Sequence, residues 1–216
     1  VQFLSDNFDL MWRAFLTTLS LAVTSGICAL VLGTVLVGMR VSPVTPLRGL
    51  ATFYVEVFRN TPLTVVFFFL FFGVVYIDVQ FPSRFVTAVT ALSLYTAAFV
   101  AEALRSGINS VPPGQAEAAR ALGLDFGQTL RSIVLPQAFR TVVPPLGNVW
   151  IALAKNTSIA AGFAVTDLTA ALQRLANANA DKLLAVFAAI VAAYLLITLP
   201  SAWLIRVVEN RVAIVR

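Results

Sequence analysis

Lys155-Asn156-Thr157-Ser158 is a run of four polar residues set deep in an apolar stretch, and it is the part of the chain best equipped to hold a charged group. On a helix starting at Thr141, Lys155 lies roughly 21 Å along the axis, too deep for its ammonium to reach the nearer membrane surface easily. Charged groups within a span are costly, so each one is a functional candidate. Lys155 could receive a carboxylate, with Asn156, Thr157 and Ser158 as hydrogen-bonding neighbours. Equally, it could pair with an acidic side chain and lock two helices together. Arg59 and Thr61 form a second candidate set, beside Pro62 in another apolar stretch. Glu56 sits three residues before Arg59, so a local Glu56–Arg59 ion pair is the structural expectation there. Glu102 and Arg105 repeat that spacing at the end of a third stretch and are expected to brace the polar segment that follows.

Much chemistry is excluded. The chain has no histidine, and its one cysteine, Cys28, is expected to be a small buried hydrophobe. No metal-ligand cluster, Ser/His/Asp set or phosphate-cradling GxxxxGK[ST] loop is present, so neither catalysis nor P-loop ATP binding is expected of this chain. Of its 216 residues 59% are hydrophobic and 12% charged, against about 25% charged in soluble domains. A net charge of +5 without basic runs interleaved with aromatics points to a lipid surface, not nucleic acid.

The elements that must position these residues are membrane helices. Apolar segments at about 14–39, 51–75, 85–104, 141–161 and 183–205 predict five spans in a single domain covering 1–216. No cleavable secretory signal is visible, and the first span is expected to serve as an uncleaved one. Ala22, Gly26, Ala29 and Gly33 form a small-residue seam on the first span. Thr61-Pro62 should kink the second. Between 162 and 182, Val165, Leu168, Leu172 and Leu175 recur at helical spacing, predicting an amphipathic helix. Nine arginines (40, 48, 105, 120, 131, 140, 206, 211 and 216) fall on one side and four cations (Arg13, Arg84, Arg174 and Lys182) on the other. The arginine-rich side, with the C-terminus, is therefore expected in the cytoplasm and the N-terminus outside.

The only sizeable polar island lies at 112–136. Pro113 suits the first turn of a short helix, the Ala-rich run to Leu122 favours that helix, and Gly123 fits the left-handed position just past its end. Asp125 and Gln128 predict a capping box that starts another short helix, with Pro136 closing the island. Glu117-Ala118-Ala119, then Gly123, then Ile133-Val134-Leu135-Pro136 resembles the EAA loop of ABC importer permeases. The likeness extends along the chain. Arg59-Asn60-Thr61-Pro62-Leu63, Ala101-Glu102 with Arg105 and Val111-Pro112, Leu135-Pro136-Gln137-Ala138, Pro144-Pro145-Leu146-Gly147-Asn148 and Lys155-Asn156-Thr157-Ser158 are similar to segments of the polar amino acid permeases, of glutamate/glutamine type. Asn156 departs from the aspartate usual in that family.

The resemblance implies an all-α membrane protein of type I importer fold, with five transmembrane helices and a cytoplasmic coupling helix. It implies a bacterial cell-membrane location and transport of a polar amino acid, glutamate or glutamine first, another basic or neutral one as the alternative. Glu117, Ala118, Ala119, Arg120 and Gly123 would couple to the ATPase; Lys155, Asn156, Thr157, Ser158, Arg59 and Thr61 would line the substrate path. Implied partners are a second permease subunit, two ATPase subunits and an extracellular amino-acid-binding protein. ATP and Mg²⁺ belong to the ATPase, so this chain carries no cofactor. A stand-alone channel or proton-driven carrier would instead call for an internal repeat or buried carboxylate relay, which the sequence lacks.

Overall fold

The computed structural model describes residues 5–212, and all regular structure among them is helical. Helix α1 (Phe8–Val41) spans 34 residues, about 51 Å, which exceeds the roughly 30 Å hydrocarbon core of a bilayer. Helix α2 (Thr45–Asn60) follows a short connector, and α3 (Leu63–Phe68) continues through a wide π-type turn at Phe69–Gly73 and a 3₁₀ turn at Val74–Ile77. Helix α4 (Arg84–Asn109) returns across the molecule, capped at its start by Ser83, whose hydroxyl accepts the Val86 N–H.

The polar island comes next. It holds α5 (Pro113–Ala121) and α6 (Phe126–Thr129), and a π-type turn at Leu130–Val134 then leads into α7 (Leu135–Asn156). After a 3₁₀ turn at Thr157–Phe163, α8 (Leu168–Ala178) and α9 (Leu183–Val212) complete the chain. Arg216, counted above in the charge balance, lies outside the described residues.

Packing is built on close approach. Buried Ala22, Ala29 and Gly33 place α1 against its neighbours. A Cβ at Gly33 would sit 2.5 Å from Val100 Cγ1 of α4, and one at Gly26 2.5 Å from Trp150 Cζ3 of α7. Gly107 of α4 meets Val142 of α7 in the same way, and Gly147 of α7 meets Ile205 of α9. In lipid the apolar effect does not drive helices together, so van der Waals fit at such seams must supply the association. Three buried clusters result. One gathers Leu21, Phe67, Leu92, Leu153 and Phe163, a second Ala29, Val55, Ala97 and Ala101, and a third Ala22, Leu168, Ala171 and Ile190. The amphipathic helix expected near 165–175 is α8, with Leu168, Ala171 and Leu175 buried.

The joint at the start of α8 is polar. Asp167, fully buried, accepts the Ala170 N–H at the start of α8 and a hydrogen bond from Tyr194 of α9, while Thr18 of α1 accepts the Leu168 N–H.

Three sequence expectations are corrected. Thr61-Pro62 does not merely kink a helix over 51–75: Thr61 is extended (φ −100°, ψ 132°) and the chain turns by 107° between α2 and the segment beginning at Leu63. Proline disfavours the α conformation in the residue before it and removes its own N–H, and here the ladder stops. Pro136, conversely, ends nothing: the helical path is continuous from Phe126 to Phe163. The wide turn at Leu130–Val134 just before it absorbs the missing donor. Cys28 is exposed on α1, not buried.

Three helices (Phe8–Val41, Arg84–Asn109 and Ala180–Arg211) are each long and apolar enough to cross a membrane. The number rises to five when α2 with α3, and the Phe126–Phe163 run with α8, each count as one bent span.

Candidate functional site

The island at 112–136 forms a lever held clear of the bundle. Pro113 occupies the first turn of α5, Gly123 has φ +86°, and Asp125 and Gln128 form a reciprocal capping box. The Gly123 and Leu124 N–H groups return to the Arg120 and Ala119 carbonyls, closing α5 with the paired bonds of a glycine-terminated helix. Glu117, Ala118 and Arg120 are exposed. Ala119 is 4% exposed, covered by the rest of the island, so it serves the shape of α5 and not its outer surface. Sequence reasoning missed two apolar residues beside the bend, Leu122 and Phe126, which are 82% and 78% exposed. Two large apolar side chains at the tip of a polar loop are the signal that could have found them.

The second set of candidates divides. Lys155 is exposed and has no hydrogen-bond or ion-pair partner among the described residues. Asn156 lines a cavity of about 280 Å³ between α4 and α7, with Tyr95, Thr96, Phe99, Asn148 and Ala152. Asn148, Ala152 and Asn156 are spaced by four and so share one face of α7. That spacing, readable in the sequence, is what reasoning from the polar run alone passed over. Thr157 is fully buried and donates its hydroxyl to the Ala154 carbonyl, so it closes α7 and does not face the cavity. Ser158 is half-buried. Thr61 donates to the Val57 carbonyl at the end of α2.

Arg59 takes a different partner from the one its local spacing predicts. Glu56 receives the Asn60 amide at 3.3 Å, whereas Arg59 approaches Glu102 of α4 at 3.6 Å. Arg40 of α1 donates to the same Glu102 oxygen at 2.7 Å, and Arg105 to the other oxygen. Glu102 thus joins α1, α4 and the α2–α3 break, and α4 runs from this node to within a few residues of α5. Glu102 and Arg105 do pair with each other, and Arg40 and Arg59 join them there.

A family model described as "Binding-protein-dependent transport system inner membrane component" matches residues 29–214. The chain belongs to that family. It is 43% identical to the glutamate transport system permease protein GluC of Corynebacterium glutamicum, with 93% of each chain covered. It is 37% identical to the probable glutamine ABC transporter permease protein GlnM of Bacillus subtilis, over 98% of this chain and 97% of that one. A crystal structure of an amino acid ABC transporter with histidines superposes at TM-score 0.89 and 31% identity, covering 98% of this chain and 99% of the other. The MetNI methionine transporter in an inward-facing form shares the fold at TM-score 0.71 and 22% identity. This is an all-helical, multi-pass permease subunit of an ABC importer, and ATP hydrolysis belongs to a separate subunit.

Proposed function

We propose that the chain moves a polar amino acid, glutamate or glutamine, across the cell membrane in a pair with an identical or similar permease subunit. Two ATPase subunits holding ATP and Mg²⁺, and an extracellular amino-acid-binding protein, complete the assembly. The subunit has five spans, two of them bent, with the N-terminus outside and the C-terminus in the cytoplasm. That placement is supported by the arginine excess on the side of α5.

The lever carries this reading: α5 presents Glu117, Ala118 and Arg120 outward beside bare Leu122 and Phe126, with Gly123 bending the chain and a capping box setting the next helix. Helix α5 is the coupling helix in this reading. Glu117, Ala118 and Arg120 meet the ATPase, Leu122 and Phe126 fill an apolar groove on it, and Ala119 and Gly123 hold the shape. Closure of the ATPase pair pulls α5, and α4 and α7 transmit the pull to the cavity, exchanging outward for inward access. Lys155 meets the cargo carboxylate and the amides of Asn148 and Asn156 line the cavity beside the route, while Ser158, Arg59 and Thr61 border it.

The names of the relatives support the choice of glutamate or glutamine. The test is ATP-dependent uptake of labelled glutamate, glutamine and arginine into vesicles holding the whole complex. Uptake of arginine alone would replace the acidic or amide cargo with a basic one.

A further inference from the structure

The Glu102 node carries more positive charge than the chain itself balances. Three guanidinium groups meet one carboxylate there, leaving a surplus of two positive charges. Arg40 is well spent, 11% exposed and bonded at 2.7 Å. The other two are not. Arg59, 40% exposed, makes no hydrogen bond among the described residues and touches Glu102 only at 3.6 Å. Arg105 has a buried Nε–H with no acceptor among them. An unpaired buried donor on a charged group costs more than an ordinary lost hydrogen bond, so Arg105 Nε–H and the loosely held Arg59 are the donors the node has to offer an oxyanion.

The placement of the free donors shows which way they face. Arg59 follows Ala51 and Val55 at four-residue steps along the buried face of α2, while Leu50, Phe53 and Val57 occupy its exposed apolar face. The unspent donors therefore turn toward α4 and away from the surface suited to lipid. On α4, Tyr95, Phe99 and Glu102 share one stripe, and Tyr95 and Phe99 line the cavity against α7.

We propose that Arg59 and Arg105 form a station for a side-chain carboxylate at the cytoplasmic end of the cargo route, where an acidic amino acid displaces Glu102 as it leaves. The planar forks of two arginines match a carboxylate bidentately, and Glu102 re-forms its pairs when the cargo departs, returning the node to its resting arrangement. This rests on the amino-acid import reading and adds to it a second anion-binding point beyond Lys155.

The test uses the whole complex in vesicles, with labelled glutamate and with glutamine, which keeps the α-carboxylate but has an uncharged amide in place of the side-chain carboxylate. Arg59→Gln is expected to lower glutamate turnover about tenfold, the worth of a charge-assisted hydrogen bond, and to leave glutamine turnover within about twofold. KM for both stays set by the binding protein outside. Arg59→Lys preserves the pair with Glu102 but not the fork, so glutamate turnover falls about threefold; this variant decides the matter if Arg59→Gln does not assemble. Equal losses for glutamate and glutamine, or no loss for either, would overturn the station in favour of a purely structural node. As a second measurement, sodium sulfate inside the vesicles, against chloride at equal ionic strength, should slow wild-type ATP hydrolysis and leave Arg59→Gln unaffected. A sulfate effect that persists in the variant, or is absent from the wild type, also overturns it. Wild-type vesicles that take up neither amino acid would sink the import reading instead, and the sulfate comparison would still judge the station.

Discussion

Replacing Gly123 isolates the mechanical role of the lever, because its environment is open. At φ +86° the residue lies in the left-handed region, yet a Cβ built there meets nothing within 4 Å. Any penalty of substitution is therefore backbone strain and not a clash. An L-residue in that region costs about 1–2 kcal/mol, less for asparagine, whose short polar side chain tolerates it, and more for a β-branched residue. If the bend relaxes to escape the strain, the docking-competent form of α5 falls about 5- to 30-fold. The bundle is untouched, since Gly123 packs on nothing. Uptake per ATP hydrolysed should therefore fall in the order Gly123→Asn, Gly123→Ala, Gly123→Val, the last being the most damaged, while each variant still reaches the membrane. The assay is labelled amino-acid uptake against phosphate release in vesicles carrying the complete transporter. Gly123→Val with wild-type uptake per ATP would refute the coupling role. Equal losses for asparagine and valine would refute the strain argument.

Other perturbations separate the remaining parts. Lys155→Ala removes a cation that has no partner among the described residues and should lower uptake about 10- to 100-fold, the loss of a charged hydrogen bond, with the complex still co-purifying. Unchanged uptake kinetics would remove Lys155 from the route. Leu122→Ser with Phe126→Ser should weaken retention of the ATPase on the permease during purification, leaving the thermal unfolding of the permease unchanged, because both side chains are bare. Gly33→Leu forces a side chain into Val100 and should destabilise the α1–α4 seam by about 1–3 kcal/mol, read as a lower midpoint in thermal unfolding in detergent.

Local chemistry made the lever legible before any coordinates. Pro113, Gly123 and the Asp125–Gln128 pair each act over four residues or fewer, so their spacing in the chain already specifies the conformation seen. The α1 seam was equally readable, because small residues at helical spacing can only serve close approach. Proline was legible only in part. Its missing N–H is local, but whether the helix stops, as at Pro62, or widens and continues, as before Pro136, depends on what packs around the freed carbonyls.

The binding face needed the tertiary structure. Lys155, Asn156, Thr157 and Ser158 are adjacent in sequence, yet a helix turns about 100° per residue, so Thr157 points into the core while Asn156 points into the cavity. Glu56 stood as the natural partner of Arg59, being one turn away. Burial of the Ala51–Val55 face aims Arg59 at Glu102 instead, 43 positions further along, where Arg40 and Arg105 also converge. The amino-acid sequence by itself determined the apolar, helical character of the chain, the bend of the lever and the family to which the chain belongs, because each is written in short-range pattern. Which charges meet was decided only when α1, α2 and α4 came together, since pairing across helices depends on the faces they bury and not on distance along the chain.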